Sequence, residues 1–359
     1  MGPRQTGHLP RSLGTQLAHT QKCPQGTTTC VAASFQQMTH SPSPVSTRRR
    51  VTRNTPQPLP PHIFWHIFEG KNASRVEEIL ARQFALLVSS GLLNQSARLH
   101  LGLVGVQGLV GIDVERLRNA STAHRAAIWQ QLRSPTLRRL LVHPRVQVDA
   151  VAGSGDEALT TGLVWQFARR QPAGERLQPL LYFHSKGSTR AVTSHDGQCA
   201  DDWTVMMEYF HIERWREAIR TMAEESTQTA GIDMWPHQPR RNQKGPVWHY
   251  SGNFWWARAS YVAELPQPLG DRFQVGEDWV LTRLREPSNH TVLHSASIAP
   301  YKQGMIHHYL DRYPPEMYRC ADVRDPSRPS RLPCRRVDPA RCHGLGCATC
   351  HGLGCSATP

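Results

Sequence analysis

The first 68 residues of this chain contain no aspartate or glutamate. Seven basic residues stand there instead: Arg4, Arg11, Lys22, Arg48, Arg49, Arg50 and Arg53. From Ala321 onward, six arginines face only Asp322, Asp325 and Asp338. A formal charge of +14 invites a nucleic-acid reading, but most of it lies in these two ends. It therefore says little about what the middle binds, and no specific nucleic-acid partner is expected. Non-specific association through the basic arm ranks third among the functional readings and requires strong salt dependence.

Lysine is almost missing. Only Lys22, Lys71, Lys186, Lys244 and Lys302 occur among 42 basic residues. A coding bias towards arginine explains the ratio. Its corollary is that a retained lysine can mark a place where the broad guanidinium fork does not fit. Cysteine is nearly absent from the middle. Of nine, only Cys199 lies well inside it and Cys320 stands at its edge. That excludes a disulfide framework and suits a reducing compartment.

No apolar run approaches the roughly 20 residues of a membrane span. The best, Leu99 to Ile112, is short and broken by glycines. No apolar signal-peptide core stands near the N-terminus. The Arg/Ser/Thr-rich, acid-free start has the character of an organelle transit peptide, and equally of a plain disordered arm. Location is left open between cytoplasm, plastid, mitochondrion and Golgi. Sequons at Asn72, Asn94, Asn119 and Asn289 matter only in a secretory lumen, and are read as chance.

Composition divides the chain into three. Residues 1–61 are rich in Pro, Ser, Thr and Gln and cannot bury enough surface to offset chain entropy. Residues 62–318 carry the periodic apolar pattern of a folded domain. Residues 319–359 form a Cys/Arg/Pro-rich tail ending in a duplicated Cys-His-Gly-Leu-Gly-Cys. That repeat reads as low complexity, with zinc binding as its alternative.

Within the middle, His62–Phe68, Leu99–Val106, Val146–Val151 and Pro179–Phe183 read as four strands, with Thr229–Trp235 and Asn253–Ala257 as later ones. The first helix carries Val76, Ile79, Leu80, Phe84, Leu87 and Val88 on one face. Ser74 and Glu77 have capping-box spacing, and Gly91 closes the helix. Helical stretches cover Val114–Leu132 and Asp156–Arg169. The longest candidate runs from Asp202 to Glu225, and a last one starts near Glu277. Alternating strands and helices without a tight hairpin predict a mostly parallel sheet covered on both faces. Ligands of such sheets lie beyond the carboxyl ends of the strands.

Three constellations follow strands. His184-Ser-Lys186-Gly187, with Arg190 close behind, places cations and a flexible turn where a diphosphate would need them. The bland reading is a surface turn. Ser251-Gly252-Asn253-Phe254-Trp255-Trp256 sets Phe254 and Trp256 on one face of a strand and Trp255 on the other. An indole can stack a sugar and Asn253 can bond hydroxyls, while plain core packing accounts for most of these aromatics. Gly276-Glu277-Asp278 offers a general base, or simply acids favoured at a helix N-terminus.

The order of these pieces, from His66 through Ser89–Leu93, Tyr182–Gly187, Asp201–Trp215 and His249–Arg258 to Gly276–Trp279, resembles a group of glycosyltransferase-like proteins of the nucleotide-diphospho-sugar transferase superfamily. The likeness covers His62 to His308. It implies a GT-A fold, a single Rossmann-like α/β domain with a mostly parallel sheet, here between disordered ends. It also implies a nucleotide-sugar donor over the first half of the sheet, with His184, Lys186, Gly187 and Arg190 at the diphosphate. Gly252, Asn253, Trp255 and Trp256 would hold a glycan or other hydroxyl acceptor, and Glu277 or Asp278 would be the base. One departure matters. The Asp-x-Asp that holds Mn or Mg in such enzymes is replaced by His184-Ser-Lys186, and no Asp-x-Asp occurs in the middle region. Transfer without metal, metal held otherwise, and binding without catalysis all stay open. Asp201 and Asp202, read as opening the long helix, are not assigned a metal.

Overall fold

The computed structural model describes residues 59–70, 72–224, 226–237, 247–269, 276–283, 289–294 and 308–319. The basic arm through residue 58, Lys71, Lys244, Lys302, Cys320 and the Cys/His repeat lie outside the described residues. The chain divides into two units at Thr55/Pro56, and every described residue belongs to the second.

Strand β1 (His62–Phe68) leads into α1 (Ala73–Ser89), α2 (Leu92–Gln95) and β2 (Arg98–Val104). Then come α3 (Val114–Asn119), α4 (Thr122–Gln130), α5 (Pro135–Leu141) and β3 (Val146–Ala152). Helix α6 (Ala158–Arg170), β4 (Pro179–His184), α7 (His195–Glu208) and α8 (Trp215–Ala223) follow. The last described elements are β5 (Thr229–Ile232), β6 (Met234–His237), β7 (Val247–Tyr250), β8 (Trp255–Arg258), α9 (Ala259–Glu264) and β9 (His290–His294).

Seven strands form one sheet in the order β3-β2-β1-β4-β8-β5-β9. Among the described strands of this sheet, only β8 runs against its neighbours, β4 and β5. This is a single Rossmann-like α/β domain with a mostly parallel sheet. Strands β6 and β7 pair separately as an antiparallel ribbon.

Alternation decides which side each strand residue covers. Ile63, Trp65, Ile67, Leu99, Leu101 and Leu103 pack with Phe254 and Trp256 on one face. Phe64, Tyr182 and Trp255 pack with α6 and α9 on the other. Each fully buried aliphatic side chain of this kind stabilises the fold by about 1.5–3 kcal/mol. The split of Phe254 and Trp256 from Trp255 is the one the sequence predicts.

Several local expectations give way to tertiary partners. Asn72, not Ser74, caps α1 through Arg75 N. Glu77 turns instead to Thr136, accepting from its N at 3.0 Å and its Oγ1 at 2.5 Å. Val88 is 44% exposed, off the buried stripe of α1. Gly91 does close the helix, in the left-handed region at φ 75°. The long helix starts at Ser194, whose hydroxyl caps it, and breaks at a π turn, Tyr209–Glu213. Asp201 and Asp202 therefore sit inside it. Asp201 pairs with Arg75 and Arg82, and Asp202 with Arg312 at 2.5 Å. The predicted strand Thr229–Trp235 is interrupted at Asp233, whose φ is 49°. The helix expected near Glu277 is one 3-10 turn, Trp279–Leu281. Among the described residues no helix is long and apolar enough to cross a membrane.

Candidate functional site

Three segments meet at the carboxyl edge of the sheet: the end of β4, the approach to β8, and the start of α6. Strand register sets His66 of β1 beside His184 of β4. Helix α6 reaches the edge because Gly102 lets it lie on β2. A Cβ there would come 2.0 Å from Thr160 Oγ1. The same threonine hydroxyl is 2.9 Å from His66 Nδ1. Docked this way, α6 brings Glu157 to the site. Because β8 is antiparallel, the residues before it arrive at the same edge.

His184 Nε2 lies 2.9 Å from the carbonyl of Gly252. A carbonyl only accepts, so Nε2 carries the proton and donates. Burial, aided by Lys186, pushes His184 down to about 3, and burial pushes His66 down to about 4. Both rings are neutral near pH 7. His184 Nδ1 is then an acceptor, and Glu157 Oε1 faces it at 3.3 Å. Burial raises Glu157 above the ordinary carboxylate range, against the pull of His66 and Lys186. The other oxygen, Oε2, accepts from Asn253 Nδ2 and from the Tyr182 hydroxyl at 3.4 Å. Burial thus makes Glu157 easier to protonate than a free carboxyl.

Lys186 lies 4.2 Å over the Trp203 ring and 3.8 Å from Glu277 Oε1. Gly187 follows with φ 82°, which lets the chain turn away. The side chain of Glu277 is 27% open, whereas Asp278 is 1% exposed. Of the two candidate bases, Glu277 is the one a ligand can reach. Arg190 is not part of the cluster. It pairs with Asp196 at 2.6 Å and covers the Tyr309 ring.

The segment expected to hold an acceptor is sealed. Asn253 is 1% exposed, Trp255 and Trp256 are 0% exposed, and Gly252 is buried. Asn253, at φ 57°, takes a bond from Trp255 Nε1 and gives one to Glu157. Trp256 Nε1 bonds the carbonyl of His211. A Cβ on Gly252 would come 2.2 Å from Met207 Sδ. Side chains enclosed in this way cannot touch a sugar. They form the wall that holds His184 and Glu157.

Glu157 is the functional candidate that sequence reading passed over. Its signal was position: it opens a helix directly after the third strand. The same place suits an acid that merely meets a helix dipole.

A cavity of about 230 Å³ adjoins the end of β1, lined by Ile67, Glu69, Ser74, Val106, Arg133 and Ser134 among others. Among the described residues no group of three or more His, Cys, Asp or Glu side chains is gathered to hold a metal. His184-Ser-Lys186 presents an ammonium and a histidine whose donor nitrogen is already bonded. That set does not fit a hard divalent cation, which takes oxygen ligands.

Fold and edge together define an α/β domain with an ionisable cluster at the carboxyl ends of its strands, where such sheets bind ligands. Residues 64–299 match the family described as a domain of unknown function, DUF8361, and the chain belongs to that family. No curated protein matches it. Among solved structures it is similar to a 4-diphosphocytidyl-2C-methyl-D-erythritol synthase from Anaerococcus prevotii DSM 20548, at 8% identity and a TM-score of 0.30, over 73% of this chain and 97% of that one. It is also similar to another 4-diphosphocytidyl-2C-methyl-D-erythritol synthase, at 10% identity and a TM-score of 0.27, over 74% and 98%.

Proposed function

We propose that this edge moves a sugar from a nucleotide-diphosphate donor to a hydroxyl acceptor, with Lys186 in the role that a metal usually fills. The observation that carries the reading is the Lys186–Glu277 pair, partly open at the carboxyl edge. A diphosphate entering there offers Lys186 a stronger anionic partner than one carboxylate. Donor binding would draw the ammonium onto the leaving group and release Glu277 to take the acceptor proton. The cavity beside β1 is smaller than the roughly 300–1,000 Å³ that encloses a drug-sized ligand. It suits one part of a nucleotide, on the donor side of the sheet.

The second reading is a module that binds the donor without turning it over. The same pair favours it, since Lys186 and Glu277 already neutralise each other.

Thermal unfolding of the full chain against nucleoside diphosphates and their sugars tests both. Ligand bound to the native state raises Tm in a concentration-dependent way. The expected result is a shift with one nucleotide class, unchanged by Mn²⁺ and lost in Lys186→Ala. Release of the nucleoside diphosphate in the presence of acceptors then separates transfer from binding. A shift that requires Mn²⁺ and survives in Lys186→Ala would overturn the proposal, as would no shift at all.

A further inference from the structure

At the opposite, amino edge of the sheet lies a cavity of about 430 Å³. It is lined by Arg98 at the start of β2, by Arg118, Arg125 and Trp129 from α3 and α4, and by His143 and Gln147 beside edge strand β3. Strand β2 has seven residues, so this cavity stands roughly 20 Å from the cluster at the carboxyl edge.

Its charges do not cancel. Arg118 is matched by Glu115 at 3.0 Å and Asp149 at 2.5 Å. Asp149 is further engaged by His100 at 2.5 Å and by the amide of Gln147. Among the described residues no acid pairs with Arg98 or Arg125. Arg98 bonds the neutral amide oxygen of Gln147. Arg125 makes no ion pair among the described residues. Two guanidinium groups are therefore uncompensated at one cavity. Gln147, fixed to Asp149, fixes Arg98 in turn. Beneath them the lining is apolar: Leu117, Trp129 and Val148 are buried.

Forked cations over an apolar, partly aromatic floor select a ligand with both characters. Guanidinium pairs favour a phosphate dianion, which accepts several bonds at once. The floor rewards a flat or apolar body. We propose that this cavity binds a phosphomonoester carried on an aromatic or apolar group, at a site separate from the carboxyl edge.

Phenyl phosphate is the minimal probe, titrated calorimetrically into the full chain. Saturable binding is expected, several-fold tighter than that of inorganic phosphate. Arg98→Ala with Arg125→Ala should weaken it at least tenfold, and Arg125→Gln alone should weaken it measurably. Both arginines lie on the surface of the cavity, and unchanged thermal unfolding of the variants shows that the fold is kept. Lys186→Ala should bind phenyl phosphate as the native chain does. Native-like binding by the double variant, loss of binding in Lys186→Ala, or no binding at millimolar phenyl phosphate would each overturn the proposal. None of these outcomes depends on whether the carboxyl edge transfers a sugar.

Discussion

Lys186 has 13% of its side chain open, an indole 4.2 Å below its ammonium and a carboxylate 3.8 Å away. A thin stem fits that slot, and a planar guanidinium needs more width. Lys186→Arg should therefore keep the fold yet lower donor affinity tenfold or more, which the nucleotide Tm shift reads directly. Glu157 allows a sharper test. A glutamine there still accepts from Asn253 and Tyr182 through its amide oxygen. Glu157→Gln should change stability by no more than roughly 0.5 kcal/mol, while Glu157→Ala strands those partners and costs about 1–3 kcal/mol. Urea unfolding of both variants checks this; equal losses would mean that the carboxyl charge, and not its two hydrogen bonds, is what the site needs. The two residues also differ in legibility. Lys186 stands next to the end of an apolar run in a chain poor in lysine, and both facts are local. Glu157 acquires its meaning from His184, Asn253 and Tyr182, which reach it only through the folded sheet.

Helix α6 is the element on which the site depends, and its seat is one glycine wide. The Cβ of an alanine at position 102 would meet Thr160 Oγ1 at 2.0 Å, so the helix must shift or turn that hydroxyl away from His66. Overpacking of this kind costs about 1–3 kcal/mol. Gly102→Ala should lose that much stability in urea unfolding and should also weaken the nucleotide response, because Glu157 moves with the helix. Gly162, on the same helix with open space around it, is the control: Gly162→Ala should be neutral or stabilising. Sequence pattern gave the strands and their faces well here, since a strand buried on both sides is an unbroken apolar run. It could not show that β8 runs backwards. That reversal brings Gly252 and Asn253 to the carboxyl edge as a wall, and an aromatic run reads the same in either direction. The long helix was likewise misplaced at its start, because Asp201 and Asp202 look like first-turn acids until Arg75, Arg82 and Arg312 are seen to claim them.

Across the whole molecule, buried histidines set the response to acid. His66 and His211 fall to about 4 and His184 to about 3, each chiefly through burial. In the unfolded chain they titrate near 6.5. Their folded values are depressed, so neutral histidine belongs to the folded state. The stability it supports is present above about pH 6.5 and is lost as pH falls towards 4. Over that window unfolding takes up to three protons, worth about 4 kcal/mol per pH unit. Two carboxyls oppose this. Glu157 and Glu208 are raised by burial, so their contribution is present at low pH and is lost as pH rises through their folded values. They can return at most two protons between about pH 4.3 and those values. Well below pH 6.5, where the unfolded imidazoles are mostly charged, the histidines outweigh the two carboxyls. His62 and His290, lowered to about 3 and about 4, add to the same side. The net loss by pH 5 should be a few kcal/mol, a sizeable share of an ordinary stability of about 5–15 kcal/mol. Urea unfolding at pH 7, 6 and 5 should give a free energy that falls at each step below 6.5, with proton uptake on unfolding. A constant free energy from pH 7 to 5 would mean that these imidazoles are reachable by water, and that the wall behind the site is open.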